Sequence, residues 1–373
     1  MAESMLARLG VRPVVNAVGT WTMYGAAPVS DTAVEATAFA LQRSFVMDEL
    51  QRAAATMIAE LTGAESGCVT ACAAAGVALS VAAAITGDDP ALVRRLPETD
   101  GLANEVVMLK GHVVDFGADV RQMARVAGAR VVEAGTATHC GEDELEAAFS
   151  ARTAAALYVV SHLCVLRGQP SLGRFVAIAR SKGVPVIVDA AAEYDLRGFH
   201  RVGADLVVHS AHKFLAGPTA GLVAGRAALV RAVLAQNKGI GRPMKVGKEG
   251  IVGLIAALER WKGLDLDALR ANDRARLERA AERLGNLPGL STELEPDTTG
   301  NTIDRLRVGA DGAAGLTAGA LGRALRDGPT AYVVRDHLAD LGYLLIDPRS
   351  LDDTEMTGLC DRIAAILAEA RRR

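Results

Sequence analysis

Apolar residues recur at helical spacing in the N-terminal part of the chain. One such segment is Asp31–Arg43, which begins at a residue type that often caps helices, and a second is Met47–Leu61. A run of small residues, Val69–Gly76, then opens a further helix that reaches about Ile85. Residues 1–30 show little periodicity and several turn formers, so we expect an arm that lies over another part of the protein.

After a loop rich in Asp and Pro at residues 87–104, short apolar runs alternate with helical patterns. The predicted strands are Val106–Leu109, Arg130–Glu133, Ala155–Val160, Val184–Val188 and Leu206–Val208. The helical patterns between them lie near residues 119–127, 142–150 and 173–182. Strands that are apolar throughout and separated by helices are typical of a mostly parallel sheet covered on both faces. The sequence therefore predicts an α/β fold.

The C-terminal part of the chain repeats both patterns. Its predicted elements are a strand at Gly221–Ala224, a charged helical stretch at 248–285, a helix near 315–326, strands near 331–334 and 343–346, and an amphipathic helix at 352–372. From the length and these patterns we expect three parts: an N-terminal arm (1–30), a large domain (31–250), and a linking helix with a smaller C-terminal α/β domain (251–373).

Composition narrows the functional class. The formal net charge of −3 gives no electrostatic reason to expect nucleic acid as a partner. The five cysteines are scattered without a CxxC pair, so we expect buried, reduced thiols and no metal site. The N-terminal residues lack the pattern of a signal peptide, and no apolar stretch reaches bilayer length. These features favour a cytoplasmic protein with a small-molecule substrate and no membrane partner.

Two residues point to the chemistry. Asp189 follows the apolar run Val184–Val188, and Lys213 follows the next predicted strand. A carboxylate at the end of a buried strand is unfavourable unless a cation or donor meets it, and ligands of open α/β sheets bind at that edge. Pyridoxal 5'-phosphate uses such a pair, because an aspartate keeps its ring nitrogen protonated and a lysine condenses with its aldehyde. Considered separately, Asp189 is more simply interpreted as a helix cap and Lys213 as a solvated loop residue.

A third feature favours a pyridoxal phosphate site over these separate interpretations of Asp189 and Lys213. The small residues at Cys72–Gly76 begin a helix, and the exposed N–H groups and partial positive charge of a helix N-terminus can hold a phosphate. His112 is a candidate to lie flat against the cofactor ring, with an ordinary loop histidine as the alternative. The full set of candidate cofactor contacts is Cys72, Ala73, Ala74, His112, Asp189, Ser210, His212 and Lys213.

Several segments carry a resemblance to a known family. They are Arg12–Ala17 with Gly19, Asp189–Leu196, Gly203–Ser210, Lys213 with Gly217-Pro218, and Gly241–Glu249. Together they resemble the selenocysteine-synthase-like group of fold-type-I enzymes that depend on pyridoxal phosphate and, within it, the D-glucosaminate-6-phosphate ammonia-lyase branch. The pair Ala211-His212 departs from this group and is closer to the Ser-x-His-Lys pattern of class V aminotransferases and cysteine desulfurases.

The resemblance implies further site residues and an assembly. In such enzymes an arginine of the small domain binds the substrate carboxylate, for which its planar fork is suited. Arg335 matches that arginine and Arg349 is the second candidate, each with a surface ion pair as the alternative. Arg242 and Lys245 belong to a glycine-interleaved basic segment that is expected to bind the cofactor phosphate or an anionic substrate. The resemblance also implies a homodimer or higher homo-oligomer with shared active sites.

Together, these expectations predict the type of reaction. Lys213 is expected to remove the α-proton of an amino acid or amino sugar acid while Asp189 keeps the ring nitrogen protonated. Loss of a β-substituent would then release ammonia and a 2-oxo acid, as in an ammonia-lyase. An aminotransferase, a racemase or an aldolase would share the first steps, and a homologue that binds the cofactor without catalysis is a further alternative.

Overall fold

The structure is a computed structural model that describes the backbone of residues 2–372 and the side chains of residues 5–372. The α-helices of these residues are α1 (Ala2–Arg8), α2 (Asp31–Leu41), α3 (Met47–Thr62), α4 (Ala73–Thr86), α5 (Pro90–Arg95), α6 (Val120–Val126), α7 (Glu142–Ala147), α8 (Leu172–Ser181), α9 (Gly198–Val202), α10 (Ala227–Ala235), α11 (Lys248–Lys262), α12 (Leu266–Gly285), α13 (Ala318–Arg326) and α14 (Asp353–Ala370). The β-strands are β1 (Val14–Ala17), β2 (Ser66–Thr70), β3 (Glu105–Leu109), β4 (Arg130–Ala134), β5 (Thr153–Val159), β6 (Val186–Asp189), β7 (Leu206–Ser210), β8 (Gly221–Gly225), β9 (Leu290–Pro296), β10 (Asp304–Ala310), β11 (Ala331–Val334) and β12 (Tyr343–Ile346).

The chain divides into two compact units. The larger unit comprises Pro28–Leu264, and the smaller unit combines the residues up to Ala27 with those from Asp265 onward. Residues expected to form an N-terminal arm therefore group with the C-terminal part. Helix α11, expected to begin the C-terminal part, groups with the larger unit.

A seven-stranded sheet forms the centre of the larger unit. Its strand order is β2-β8-β7-β6-β5-β3-β4, and β8 runs antiparallel to both of its neighbours while the strands from β7 to β4 are parallel. The predicted mostly parallel sheet is thus confirmed. Because β2 and β7 are both antiparallel to β8, β2 runs in the same direction as β7, and its carboxyl end lies at the same edge of the sheet.

Helices cover both faces of this sheet, which explains why its strands are apolar throughout. Val106 and Met108 of β3 pack in one buried cluster that also contains residues of α4, α6 and α10. Val107 and Leu109, which alternate with them, pack in a second cluster with Phe175 of α8. The pleat of each strand therefore sends successive apolar side chains into two cores.

The smaller unit has its own sheets and core. Strands β12, β10 and β9 form an antiparallel sheet, and β1 pairs in parallel with β11. Helices α12, α13 and α14 supply Leu277, Leu321 and Ile363 to one buried cluster, together with Leu306 and Leu344 of the sheet. The sequence predicted β11, β12 and the last two helices, but β1, β9 and β10 were not recognised.

Two local predictions are corrected by the structure. The helical stretch at 248–285 is two helices, because Asp265 ends the turn after α11 and accepts hydrogen bonds from the N–H groups of Asp267 and Ala268 at the start of α12. The predicted loop at 87–104 contains α5, whose N-cap is Asp89 and whose first residue is Pro90. Asp and Pro at these positions favour a helix start as strongly as a loop.

Within residues 2–372 there is no helix with both the length and the apolar character needed to cross a membrane.

Candidate active site

Two of the candidate residues lie at the ends of neighbouring parallel strands of the large sheet. Asp189 is the last residue of β6, and it pairs in register with Val208 of β7. Strand β7 ends at Ser210, so Lys213 lies in the loop that follows the adjacent strand end. Both residues are therefore at the carboxyl edge of the sheet, where open α/β folds bind ligands.

Asp189 is buried, with 9% of its surface exposed. Its Oδ1 accepts a hydrogen bond of 3.2 Å from the backbone N–H of Ala191. Burial raises the pKa of this carboxyl group, while the charge of Lys213 and the hydrogen bond from Ala191 act in the opposite direction. The structure thus holds an acid at the strand end whose ionised form is disfavoured by burial and favoured by the cationic lysine.

The start of α4 lies at the same edge of the sheet. Cys72 is the N-cap residue, and its Sγ accepts a hydrogen bond of 3.4 Å from the backbone N–H of Ala75. Thr70 of β2 pairs with Gly221 of β8, which in turn pairs with Ser210 of β7. This row places the first residues of α4 near Ser210. The first N–H groups of a helix have no partner within the helix, so they can bind an anion.

His112 ends a short 3₁₀ turn, Lys110–His112, directly after β3. It is fully buried, and its ring and that of Tyr158 pack in a T-shaped arrangement with a centroid distance of 4.4 Å and an interplanar angle of 79°. Among the described residues, neither ring nitrogen has a hydrogen-bond partner. Burial lowers the pKa of His112 to about 4, so the ring is neutral near pH 7.

His212 lies beside Lys213 in the loop after β7. Its Nδ1 is 3.3 Å from the hydroxyl oxygen of Ser210. Burial lowers the pKa of His212, and the positive charge of Lys213 lowers it further. The two predicted neighbours of the lysine are therefore in hydrogen-bonding contact with each other.

The candidate arginines of the smaller unit meet at one carboxylate that was not predicted. Arg349 donates two hydrogen bonds to Asp347, from Nε to Oδ1 at 2.8 Å and from Nη2 to Oδ2 at 2.7 Å. Arg335 donates from Nη2 to Oδ2 of Asp347 at 3.2 Å and from Nε to the carbonyl oxygen of Val18 at 2.9 Å. Arg305 adds a bond of 3.0 Å from Nε to Oδ2. None of the three arginines is a surface ion pair.

Burial sets the electrostatics of this cluster. Asp347 is completely buried, which by itself would raise its pKa, but the charge and hydrogen bonds of Arg349 and the charges of Arg305 and Arg335 hold that pKa well below its usual range. Burial also lowers the pKa of Arg335 to about 10, although the charge of Asp347 acts against this effect.

The basic segment of the larger unit has a different character. Arg242 begins a 3₁₀ turn, Arg242–Met244, and both Arg242 and Lys245 are exposed. Lys248, at the start of α11, instead donates a hydrogen bond from Nζ to the carbonyl oxygen of Arg43. The first two side chains are accessible cations, and the third is engaged with the chain itself.

Some residues of these sites were missed from the sequence. Asp347 and Arg305 had no motif to reveal them, although Asp347 stands two positions before the candidate Arg349. Tyr158 lies within the predicted strand Ala155–Val160 and Cys164 is one of the five scattered cysteines, and neither was a candidate site residue. Burial raises the pKa of Cys164 to about 12, and the neighbouring charge of Asp189 raises it further, so this thiol lies close to the candidate aspartate. Within each unit, only the folded chain brings these residues to the candidate ones.

The larger unit fits pyridoxal phosphate in four respects. It offers a buried carboxylate for the ring nitrogen, a lysine for the aldehyde and a helix N-terminus for the phosphate. His112, directly after β3, places an aromatic ring at the same edge of the sheet, and neither of its nitrogens is hydrogen-bonded to any described residue. Sheet topology and these residues define a fold-type-I enzyme dependent on pyridoxal phosphate.

Comparison with known proteins supports this class and narrows it. A solved structure of N-succinyldiaminopimelate aminotransferase from Mycobacterium tuberculosis shares the fold, with a TM-score of 0.58 and 18% identity over 98% of this chain and 96% of that one. A solved structure of D-glucosaminate-6-phosphate ammonia-lyase matches all of both chains, with a TM-score of 0.90 and 39% identity. Residues 14–286 match the family described as L-seryl-tRNA selenium transferase, SelA. The chain belongs to this family.

Two curated relatives cover nearly the whole chain. D-glucosaminate-6-phosphate ammonia lyase from Salmonella typhimurium is 39% identical over 99% of this chain and 100% of its own length. A 5'-C-glycyluridine monooxygenase-decarboxylase from Streptomyces sp. is 40% identical over 97% of this chain and 91% of its own length. These findings confirm the predicted resemblance and cofactor, and the chain is a pyridoxal-phosphate-dependent enzyme of the ammonia-lyase type.

Proposed function

We propose that this enzyme removes ammonia from an amino acid or amino sugar acid by eliminating a β-substituent, and that it releases a 2-oxo acid. The observation that carries the proposal is a buried carboxylate, Asp189, at the carboxyl edge of the sheet, close enough to Lys213 for the lysine charge to lower its pKa. The full-length similarity to an ammonia lyase of an amino sugar acid supports the same reaction.

Each residue at this edge has a proposed role. Asp189 would hold a proton at the pyridine nitrogen of the cofactor, and Lys213 would hold the aldehyde carbon until the substrate amine takes its place and frees Nζ. The N–H groups of Cys72, Ala73 and Ala74 bind the phosphate, assisted by Ser210 and His212. His112 packs against the ring as a neutral aromatic group, which its lowered pKa supports. When bound, pyridoxal phosphate supplies an electron sink for the bond broken at the α-carbon of the substrate.

Lys213 is proposed to carry the proton transfers. Its Nζ removes the α-proton of the substrate and then protonates the departing β-hydroxyl group, which leaves as water. A second water is consumed when the carbon–nitrogen bond is hydrolysed. The net products are therefore the 2-oxo acid and ammonia, with no added oxidant or acceptor.

We propose Arg335, rather than Arg349, as the residue that binds the substrate carboxylate. Nε and Nη2 of Arg349 form a bidentate pair with the two oxygens of Asp347, so this carboxylate neutralises Arg349 most directly, whereas Arg335 makes only one hydrogen bond to it. Arg335 uses Nε and Nη2, and its Nη1 makes no hydrogen bond to any described side chain or backbone group. An arginine that is held by two of its nitrogens and presents the third is suited to orient an anion.

The exposed cations Arg242 and Lys245 remain proposed contacts for a second anionic group, either the cofactor phosphate or an acidic part of the substrate. A homodimer or higher homo-oligomer with shared active sites and a cytoplasmic location also remain proposals. Size-exclusion chromatography with light scattering tests the first of these, and a monomer with full activity would contradict it.

Trapping of the cofactor tests the central assignment. The purified protein should absorb in the visible range in the presence of pyridoxal phosphate, and borohydride should abolish this band and fix the cofactor on the peptide that contains Lys213. A Lys213→Ala variant should lose both signals, whereas Lys182→Ala, which changes an exposed lysine elsewhere on the larger unit, should keep them. A reduced adduct on any other lysine contradicts the assignment.

A second reaction is favoured by one observation, the 40% identity to a monooxygenase-decarboxylase. A panel of β-hydroxy amino acids, amino sugar acids and a glycyl nucleoside distinguishes the two. Ammonia and 2-oxo acid released without oxygen support elimination. Oxygen uptake with release of carbon dioxide supports oxidative decarboxylation, and amino transfer that requires a 2-oxo acid indicates an aminotransferase.

A further inference from the structure

Asp347 occupies an unusual position among the charged residues of the smaller unit. Its two carboxylate oxygens together accept four side-chain hydrogen bonds from Arg305, Arg335 and Arg349. Arg305 also donates a bond of 2.8 Å from Nη2 to Oδ2 of Asp297. The side chains of all five residues are at least nine-tenths buried. We call these five side chains the arginine cluster.

The charges of the arginine cluster do not cancel. Three guanidinium groups face two carboxylates, which leaves one positive charge in a buried environment. The nearby Asp273 pairs with Arg276 at 3.0 Å, and Arg276 and Arg279 both pair with Asp353, so these four charges cancel one another and do not change this balance. A buried excess charge is unfavourable unless an anion meets it, and a single excess charge matches a monoanion such as a carboxylate.

The N-terminal segment of the chain is built around Asp347. The backbone N–H of Asp347 donates to the carbonyl oxygen of Ala17 at 2.9 Å. Gly19 has a φ of +79°, and a Cβ atom there would lie 2.5 Å from the Cγ of Asp347. Only glycine therefore lets the backbone lie against the carboxylate. Asn16 holds this turn, because its Nδ2 donates to the carbonyl oxygens of Gly19 and Ala26, each at 2.9 Å.

The same segment also holds Arg335. Strand β1 pairs in parallel with β11, and Ala17 is in register with Val334. The next residues along the two strands, Val18 and Arg335, are joined by the hydrogen bond from Arg335 Nε to the carbonyl oxygen of Val18. Arg335 is thus fixed from two sides, by the turn at residues 16–19 and by Asp347.

We propose that Asp347 is a positioning residue that orients Arg335 to bind the substrate carboxylate, and that Gly19 is required because it leaves room for the Asp347 side chain. The inference rests on the proposed role of Arg335. It adds a specific claim: Asp347 strengthens anion binding although it is itself an anion. If Asp347 were only a counter-charge, its neutralisation would make anions bind more tightly.

Propionate, a monocarboxylate without an amino group, serves as the probe, and its binding to the cofactor-loaded protein is measured by calorimetry. Asp347→Asn should weaken propionate binding by about tenfold or more, the loss expected when an arginine is no longer held in one orientation. Gly19→Ala keeps every charge but displaces the carboxylate, so it should weaken binding in the same way. This second variant keeps the test decisive if the first does not fold.

Two variants serve as matched controls. Asp297→Asn removes one charge from the arginine cluster but leaves all four hydrogen bonds to Asp347, so propionate should bind equally well or more tightly. Glu293→Gln, on the exposed pair with Arg307, should leave binding unchanged. Tighter binding in Asp347→Asn, or unchanged binding in both Asp347→Asn and Gly19→Ala, overturns the inference.

A further variant separates this inference from the proposed function. Arg335→Gln should abolish propionate binding while the visible absorbance of the bound cofactor is retained. Propionate binding that is absent from the unaltered protein or survives Arg335→Gln would refute the role of Arg335 itself. Loss of binding in Arg335→Gln without an effect of Asp347→Asn and Gly19→Ala would refute only the positioning role.

Discussion

Gly221 lies so close to Cys72 that a Cβ atom on the glycine would be 2.4 Å from the carbonyl oxygen of Cys72. The same Cβ would be 2.6 Å from the hydroxyl oxygen of Thr70. The absence of a side chain at Gly221 therefore allows the start of α4 to pack against β8, one strand away from Ser210. The proposed phosphate site depends on this close backbone approach.

Gly221→Ala should weaken the binding of pyridoxal phosphate. The atom that the new methyl group meets belongs to the backbone, so the start of α4 must shift, and overpacking of this kind typically destabilises a protein by about 1–3 kcal/mol. We expect at least about a tenfold higher dissociation constant in a titration followed by absorbance. Gly173→Ala is the matched control, because its Cβ would meet its nearest atom only at 3.9 Å and it lies within α8. Equal affinity in both variants would contradict the prediction.

Asp189→Asn should lower activity by about 10²–10³-fold, the usual effect of removing one preorganised electrostatic group from an active site.

In the cofactor-free protein, the same substitution should change how stability depends on pH. Because burial raises the pKa of Asp189, the folded protein loses stability as the pH rises through that raised pKa. The free energy of unfolding of Asp189→Asn, measured with urea from about pH 4 to about pH 7, should therefore fall less with increasing pH than that of the unaltered protein. If Asp189→Asn and the unaltered protein showed the same pH dependence of stability, burial would not raise the pKa of Asp189, and the prediction would be wrong.

His112→Phe should reduce the acid sensitivity of the cofactor-free protein. His112 has a pKa of about 4 in the folded state against an ordinary value of 6.5, so only the unfolded chain takes up this proton between those values. Stability is therefore lost as the pH falls below about 6.5, and the loss at pH 5 is about 2 kcal/mol. Phenylalanine keeps an aromatic ring against Tyr158 but binds no proton. Urea unfolding gives the free energy of unfolding at about pH 7.5 and about pH 5. Its decrease between these two pH values should be smaller in His112→Phe than in the unaltered protein by about 2 kcal/mol.

The larger unit was predictable because its signals are local. The strands of its parallel sheet are short apolar runs between helices, and Asp189 and Lys213 follow two of them within 24 residues. Strand β2 was missed because Ser66–Thr70 runs into the small residues of α4 with no polar break, so the helical pattern masked it.

The structure of the smaller unit was harder to predict from the sequence, because its decisive contacts join distant parts of the chain. Val14 pairs with Ala331, more than three hundred positions away, and no periodicity within residues 14–17 reveals that partner. Asp347 is likewise surrounded by arginines from three separate segments and by a glycine near the N-terminus. Arg335 and Arg349 could be chosen as candidates by residue type and by resemblance. The carboxylate that organises them could be found only from the folded structure.

Cofactor binding should protect Cys72 from alkylation. Of the five cysteines, Cys68, Cys140, Cys164 and Cys360 are buried, whereas Cys72 is half-buried at the N-cap of α4. Burial also raises the pKa of Cys68 and of Cys164 to about 12, which keeps these thiols protonated and unreactive. Iodoacetamide should therefore label mainly Cys72 in the cofactor-free protein. A phosphate bound at the start of α4 covers this thiol, so labelling should slow by about 100-fold when the cofactor is present at 100 times its dissociation constant.

Peptide mass spectrometry at short reaction times measures this protection, with Cys68 as the internal control that stays unlabelled in both states. Inorganic phosphate should give partial protection, because it can occupy the helix N-terminus without reacting with Lys213. Pyridoxal, which lacks the phosphate, should bind at the lysine and leave Cys72 open to the reagent. Equal labelling of Cys72 with and without pyridoxal phosphate would place the phosphate away from α4, and the roles proposed for Cys72, Ala73 and Ala74 would have to be abandoned.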